Sequence, residues 1–241
     1  MKHPIFLIAA ALCGATLLNA APANAAAEPA VPSAETKAPE LKPLTQWTPF
    51  QIVFFPGAPS AAVNSNVYGI KTGWPVSSGY GRVYGLEASW VYSGTDHIKG
   101  IQACWVHNQN ETCDGLQASF VSDINFQWFR GIQASLVYCQ AGDFLGLQAS
   151  LVSIAGNWTG FQTALALSVT GDGTGFQAAG VNVDLGKFTG VQCGIYNQVE
   201  ASRGLQLGLV NISQNKGFQI GFINYIEDAW IPVFPILNFK F

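Results

Sequence analysis

One short unit recurs through most of this chain and limits what it can fold into more than any other feature. The unit reads Gly, apolar, Gln, small, small, apolar, Val. It appears as Gly85-Leu86-Glu87-Ala88-Ser89-Trp90-Val91 and as Gly100-Ile101-Gln102-Ala103-Cys104-Trp105-Val106. It returns from Gly115, Gly131, Gly146, Gly160, Gly175, Gly190, Gly204 and Gly217, and a degenerate copy starts at Gly69. Successive glycines lie 13–16 residues apart. A fixed period of this kind marks a repeat architecture.

Within the unit the period is two. In the copy at Gly131, Arg130, Ile132, Ala134, Leu136 and Tyr138 share one face, and Phe129, Gln133, Ser135 and Val137 share the other. That is strand alternation. A helix needs apolar spacing near 3.6 and would be broken by a glycine in every copy. Each repeat therefore reads as one strand plus a short connection, and the chain as all-β. One face is large and apolar, as in Ile101/Trp105, Leu116/Phe120, Leu147/Leu151 and Phe218/Phe222. The other is small, polar and almost uncharged, as in Gln117/Ser119, Gln148/Ser150 and Gln206/Gly208.

Two architectures satisfy this pattern. The leading expectation is an antiparallel up-and-down β-barrel of about 12 strands in an outer membrane, with one strand per repeat of about 15 residues. Nine strand residues at about 3.3 Å, tilted near 40°, span roughly 23 Å, close to the apolar band of such barrels. Only 10% of residues are charged and 49% are hydrophobic, which leaves little material for a wetted surface. The apolar face would meet lipid. Lys71, Glu87, Gln102, Gln117, Gln133, Gln148, Gln162, Gln177, Gln192, Gln206 and Gln219 would line the lumen. This ring would form a weakly selective polar pore or a self-bonded network that fills the lumen. Lys71 and Glu87 share that face and are expected to pair. Val233, Leu237, Phe239 and Phe241 alternate at the C-terminus, as in the last strand of outer-membrane barrels, although Pro232 and Pro235 depart from that signal. Residues 47–60 would plug the lumen or begin the first strand. The alternative is a β-solenoid with one coil per repeat, in which identical residues stack into Gln and Asn ladders. Asn197, Asn211 and Asn224 recur at one place and suit it, but its outside would have to be wetted.

The N-terminus reads as an export signal. Lys2 and His3 precede an apolar stretch from Ile5 to Leu18, and Ala23-Asn24-Ala25 is an A-x-A cleavage site. Leu12 before Cys13 is unlike a lipobox. The expected organisation is residues 1–25 as signal peptide, 26–46 as a disordered Ala/Pro linker and 47–241 as the β-repeat domain. The expected location is the cell outer membrane or cell surface, with outer-membrane lipid as partner. The formal net charge of −3 argues against nucleic acid.

The late repeats Gly204-Leu205-Gln206-Leu207-Gly208-Leu209-Val210-Asn211 and Gly217-Phe218-Gln219-Ile220-Gly221-Phe222-Ile223-Asn224 resemble the bacterial GLQLGLVN-type surface-repeat family first described in leptospires. The entry segment from Phe50 to Gly57 and the Pro-rich aromatic tail from Pro232 resemble it too, so the likeness covers about residues 48–241. The middle repeats depart from it, with Ala-Ser in place of Leu-Gly. The resemblance implies an exported surface or envelope protein and supplies no catalytic residue.

Little in the sequence points to catalysis. It has no G-x-S-x-G elbow and no P-loop. His97 and His107 lie near Cys104 and Cys113, the residue types of a soft-metal site, but read better as turn-proximal side chains, and no metal or cofactor is expected. In a hairpin turning at Asn108–Gln109, Cys104 and Cys113 would face each other, which predicts a cross-strand disulfide. Cys139 and Cys193 are too far apart in sequence to assign. The functional expectation is a non-enzymatic barrel, structural or a small-solute pore; the alternative is a surface solenoid for adhesion or ligand binding.

Overall fold

The computed structural model describes residues 47–55 and 65–240. The predicted signal peptide and the Ala/Pro linker lie outside the described residues. The elements in chain order are β1 (Trp47–Val53), β2 (Asn66–Gly73), β3 (Val76–Ser89), β4 (Tyr92–Cys104), β5 (His107–Ser119), β6 (Ser122–Ser135), β7 (Tyr138–Ala155), β8 (Trp158–Thr170), β9 (Gly173–Ser213), β10 (Gly217–Ile226) and β11 (Val233–Lys240). They form one 11-stranded sheet in strictly sequential order. Among the described residues, every strand pair from β1/β2 to β9/β10 is parallel and β10/β11 is antiparallel.

The protein is therefore a β-solenoid, and the closed antiparallel barrel is overturned. So are the transmembrane strands, the porin-like lumen and the count of about 12 strands. The physical reason lies in the connections. Parallel neighbours cannot be joined by a two-residue hairpin and need a return path. Here the return path is the rest of the coil. β4 runs through most of a repeat and stops at Cys104, and the chain bends at Trp105–Val106 before β5 starts at His107. A second bend lies where the register shifts, between Gly79 and Arg82, between Asn110 and Thr112, and between Asn125 and Trp128. Each coil is thus a flattened loop with two sheet sides. The repeat glycines stay in register from coil to coil, as Gly100↔Gly115 and Gly131↔Gly146. Residues 173–213 wind through three coils without interruption, because Gln192 bonds to Gln177 and Gln206 to Gln192 inside that one element.

The ends differ from the middle. β1 stacks in parallel on β2, with Phe50 beside Ile70, so residues 47–53 begin the first strand rather than plug a lumen. β11 folds back on β10, with Phe239 beside Phe218, and closes the open edge of the stack as solenoid ends require.

The glycine column sets the coil-to-coil approach. Gly146 has a φ of 141°, in the region that L side chains avoid. A Cβ there would meet the Gly131 carbonyl oxygen at 2.0 Å. Gly146→Ala is expected to destabilise the fold by about 3 kcal/mol or more, combining backbone strain with overlap. Thr159→Ala, on an exposed outward site, is the matched control. Thermal unfolding followed by circular dichroism checks both; equal melting temperatures would refute the close-approach account.

Candidate functional site

The side chains sort by their place relative to the repeat glycine. The second residue after it, the Gln place, points inward. Gln102, Gln117, Gln133, Gln148, Gln162, Gln177, Gln192, Gln206 and Gln219 are all fully buried. Their amides bond to one another along the stack. Gln148 Nε2 donates to Gln133 Oε1 at 3.1 Å, Gln162 to Gln148 at 2.8 Å, Gln177 to Gln162 at 3.1 Å, Gln192 to Gln177 at 2.8 Å, Gln206 to Gln192 at 2.8 Å and Gln219 to Gln206 at 2.9 Å. Gln117 donates to Gln102 at 3.0 Å. The ladder breaks once, at Gln133, whose Nε2 turns to the carbonyls of Asp123 and Gln140. The residues expected to line a lumen therefore face inward but line none. They bond to one another in a packed interior, as buried amides generally do, and Gln219 Oε1 at the end of the ladder is left without a partner.

The two rungs before Gln102 replace Gln by a charge pair. Lys71 Nζ and Glu87 Oε1 lie 3.7 Å apart, both buried. Lys71 also donates to Thr95 Oγ1 at 2.6 Å, while Ser77 and Thr95 donate to Glu87 Oε1. Burial lowers the Lys71 pKa, and the facing Glu87 opposes that shift. A second ladder occupies the seventh place after the glycine. Asn182 donates to Asn197 Oδ1 at 2.7 Å, Asn197 to Asn211 at 2.8 Å and Asn211 to Asn224 at 2.8 Å, all four buried.

Two carboxyls inside this core have no cation against them. Asp184 accepts from Gln177 at 3.1 Å, from Gln192 at 2.8 Å and from the Thr170 hydroxyl. Burial pushes its pKa up to about 8, and Gln177 only partly offsets that. Asp123, bonded to Asn108 at 2.7 Å, is pushed up to about 7 for the same reason.

The predicted disulfide is overturned. All four cysteines of the repeat domain are free thiols. Cys104 stacks beside Ser119 and Cys113 beside Ile98, on different places of the coil, because the strands that carry them are parallel rather than a hairpin. Asn108, placed at the expected turn, lies buried within β5. Burial pushes the Cys113 and Cys139 thiols up to about 12, so they stay protonated at neutral pH. His97 bonds to Thr112 and His107 Nδ1 to Ser122 Oγ at 2.6 Å, one on each side of the coil. No group of three or more metal-type ligands occurs among the described residues.

The outer surface inverts the usual order. The residue after each glycine faces out and is apolar at every rung: Ile70, Leu86, Ile101, Leu116, Ile132, Leu147, Phe161, Phe176, Val191, Leu205 and Phe218. Phe50 and Phe239 extend this row at the two ends. A parallel row at the fifth place includes Trp74, Trp90, Trp105, Phe120, Leu136, Leu151 and Leu165, with Trp105 63% and Leu165 81% exposed. Trp74–Trp90, Trp90–Trp105 and Trp105–Phe120 contact along the stack. A shallow groove of ≈ 700 Å³ follows the aromatic part of this second row, lined by Trp74, Trp90, Trp105 and Phe120 and by Ala88, Ala103 and Ala118. The sixth place adds Val91, Val106, Val121 and Val137 at the bend, each more than a third exposed.

Charge gathers on the glycine side of the coil, away from the bend at the fifth and sixth places. From Arg82 to Lys216, every charged side chain outside the buried core falls one to four residues before a repeat glycine. Six are basic (Arg82, Lys99, Arg130, Lys187, Arg203, Lys216) and six acidic (Asp96, Glu111, Asp114, Asp143, Asp172, Glu200). This segregation was not anticipated from the sequence, although counting each charge from its nearest glycine reveals it. Compared with family models, with curated proteins and with solved structures, the chain finds no match.

The buried carboxyls make stability depend on pH. Asp184 ionises near 8 when folded but near the ordinary 3.8 when unfolded. A raised folded pKa gives stability that is full below the unfolded value and is lost as pH rises through the folded one. The melting-temperature advantage of Asp184→Asn over the parent is expected to grow from about pH 4 and level off above about pH 8. A difference independent of pH in thermal melts would contradict this assignment.

Proposed function

We propose that this chain is a non-enzymatic binding solenoid of the bacterial cell envelope, exposed at the surface, whose apolar outer face is its ligand-binding surface. The observation that carries the reading is the unbroken apolar row outside a hydrogen-bonded polar core. Soluble monomers rarely leave apolar patches larger than a few hundred Å² uncovered. Thirteen rungs at about 4.8 Å extend over roughly 58 Å, and a second large apolar row lies beside them. The buried ladders already hold the fold, so the outer rows are free to serve contact.

The export-type N-terminus and the resemblance of the late repeats to surface-repeat proteins support the envelope location. The reading assigns no catalytic residue and no cofactor. It includes adhesion as well as ligand binding, since both need an accessible, chemically uniform face.

The native protein is expected to bind an apolar fluorescent dye saturably at temperatures far below unfolding. Leu116→Lys and Ile132→Lys should lower bound dye by about half or more while moving the melting temperature by only about 2 °C, because both sites are exposed. Dye binding that appears only on unfolding, or that ignores both substitutions, would refute the face as a binding surface.

A further inference from the structure

Resting on that reading, we infer that the occupant of the apolar face is the hydrocarbon of a lipid surface, into which the solenoid lies edge-on along its full length. Three features of the coil favour lipid over a second copy of the chain.

The first is the separation of charge from the apolar bend. Lys99, Arg130 and Asp172 belong to an edge before the glycines, and Trp105, Leu136 and Val137 to the bend on the far side of the coil. The apolar bend can therefore enter hydrocarbon without desolvating one charge. That is the design of an interfacial amphipathic helix, here made from sheet.

The second is shape. The apolar surface does not stop at a flat side. It continues round the bend, where Val106 and Val137 lie 40% exposed next to Trp105 and Leu136. A second rigid copy packed flat on the first and third places would leave the bend in water. A fluid covers both. Past the bend the chain carries polar groups, Tyr92, His107 and Ser122, with Tyr92 against His107 and His107 bonded to Ser122. Such groups suit the headgroup level, where aromatic side chains with a polar tip are enriched.

The third is charge balance. The charged edge holds six basic and six acidic side chains, so it offers no net attraction to an anionic surface. Binding driven by hydrocarbon contact should then be indifferent to lipid charge and salt, unlike binding through a basic patch.

The test is flotation of the full chain with vesicles of phosphatidylcholine alone and of phosphatidylethanolamine with phosphatidylglycerol. The protein should float with both, at low and at high salt, and the emission of Trp74, Trp90 and Trp105 should shift to the blue and be quenched by brominated acyl chains. Leu136→Lys and Leu165→Lys, both at exposed sites, should each weaken partition about tenfold while circular dichroism stays that of the parent. Lys99→Gln should leave it unchanged. A chain that stays in solution as a dimer split by Leu136→Lys overturns lipid as the occupant and leaves the binding-face reading intact. Flotation only with anionic vesicles, reversed by salt, overturns the hydrocarbon contact. A monomer that neither floats nor binds the apolar dye overturns the binding face as well.

Discussion

The hydrogen bond from one glutamine amide to the glutamine one coil away is the contact on which the rest of the structure depends. A buried amide without a partner costs several kcal/mol. Each Gln meets its partner only if successive coils run parallel and in register, because only then do identical positions stack. A slip by one residue would turn the amide outward and an apolar side chain inward. The spacing between glycines nevertheless varies from 13 to 16 residues. The irregularities collect away from the ladder, at the bends before the glycine and, near Ser150, after the small residues. The ladder keeps its step and the bends absorb the difference.

This arrangement reverses the usual distribution of hydropathy. The interior is largely amide, hydroxyl and carboxamide, with an apolar column confined to one side, from Val67 through Ile98 and Phe129 to Phe144 and Phe188. Those side chains sit two residues before the glycines and fill the space that the glycine column leaves. The large side chains after the glycine have no room inside and face out. An apolar exterior is thus a consequence of a polar ladder inside. It does not require membrane-spanning strands.

The same segregation explains why the surface has one outstanding property and little chemistry. Lys71, Glu87 and Asp184 are tied into the Gln ladder, and the cysteines are free thiols. What remains outside is a long apolar face and bend and, on the glycine side of the coil, a balanced set of charges. A repeating fold suits contact with something extended, because every coil adds the same increment of surface.

Much of this was legible in the residues, and the part that was not has a definite cause. Alternation with period two showed that Gln117 and Ser119 share a face opposite Leu116 and Phe120, and that Lys71 and Glu87 lie on that same Gln face. Those conclusions follow from local geometry, because side chains alternate across any strand. Strand direction is not local. Antiparallel and parallel sheets impose the same alternation, so the pattern at Gly100 and Gly115 fits a hairpin or a coil equally well. The choice was decided by amide partners roughly fifteen residues away, and it moved Cys104 from Cys113 to Ser119 and Asn108 from a turn to the core. The demand that an outer surface be wetted weighed toward the barrel, and the tertiary structure shows it unmet along one face. The sequence by itself determined the strands, their two faces and the stacking unit; only the tertiary structure decided that the coils run parallel, because the interactions that select direction join residues in different coils.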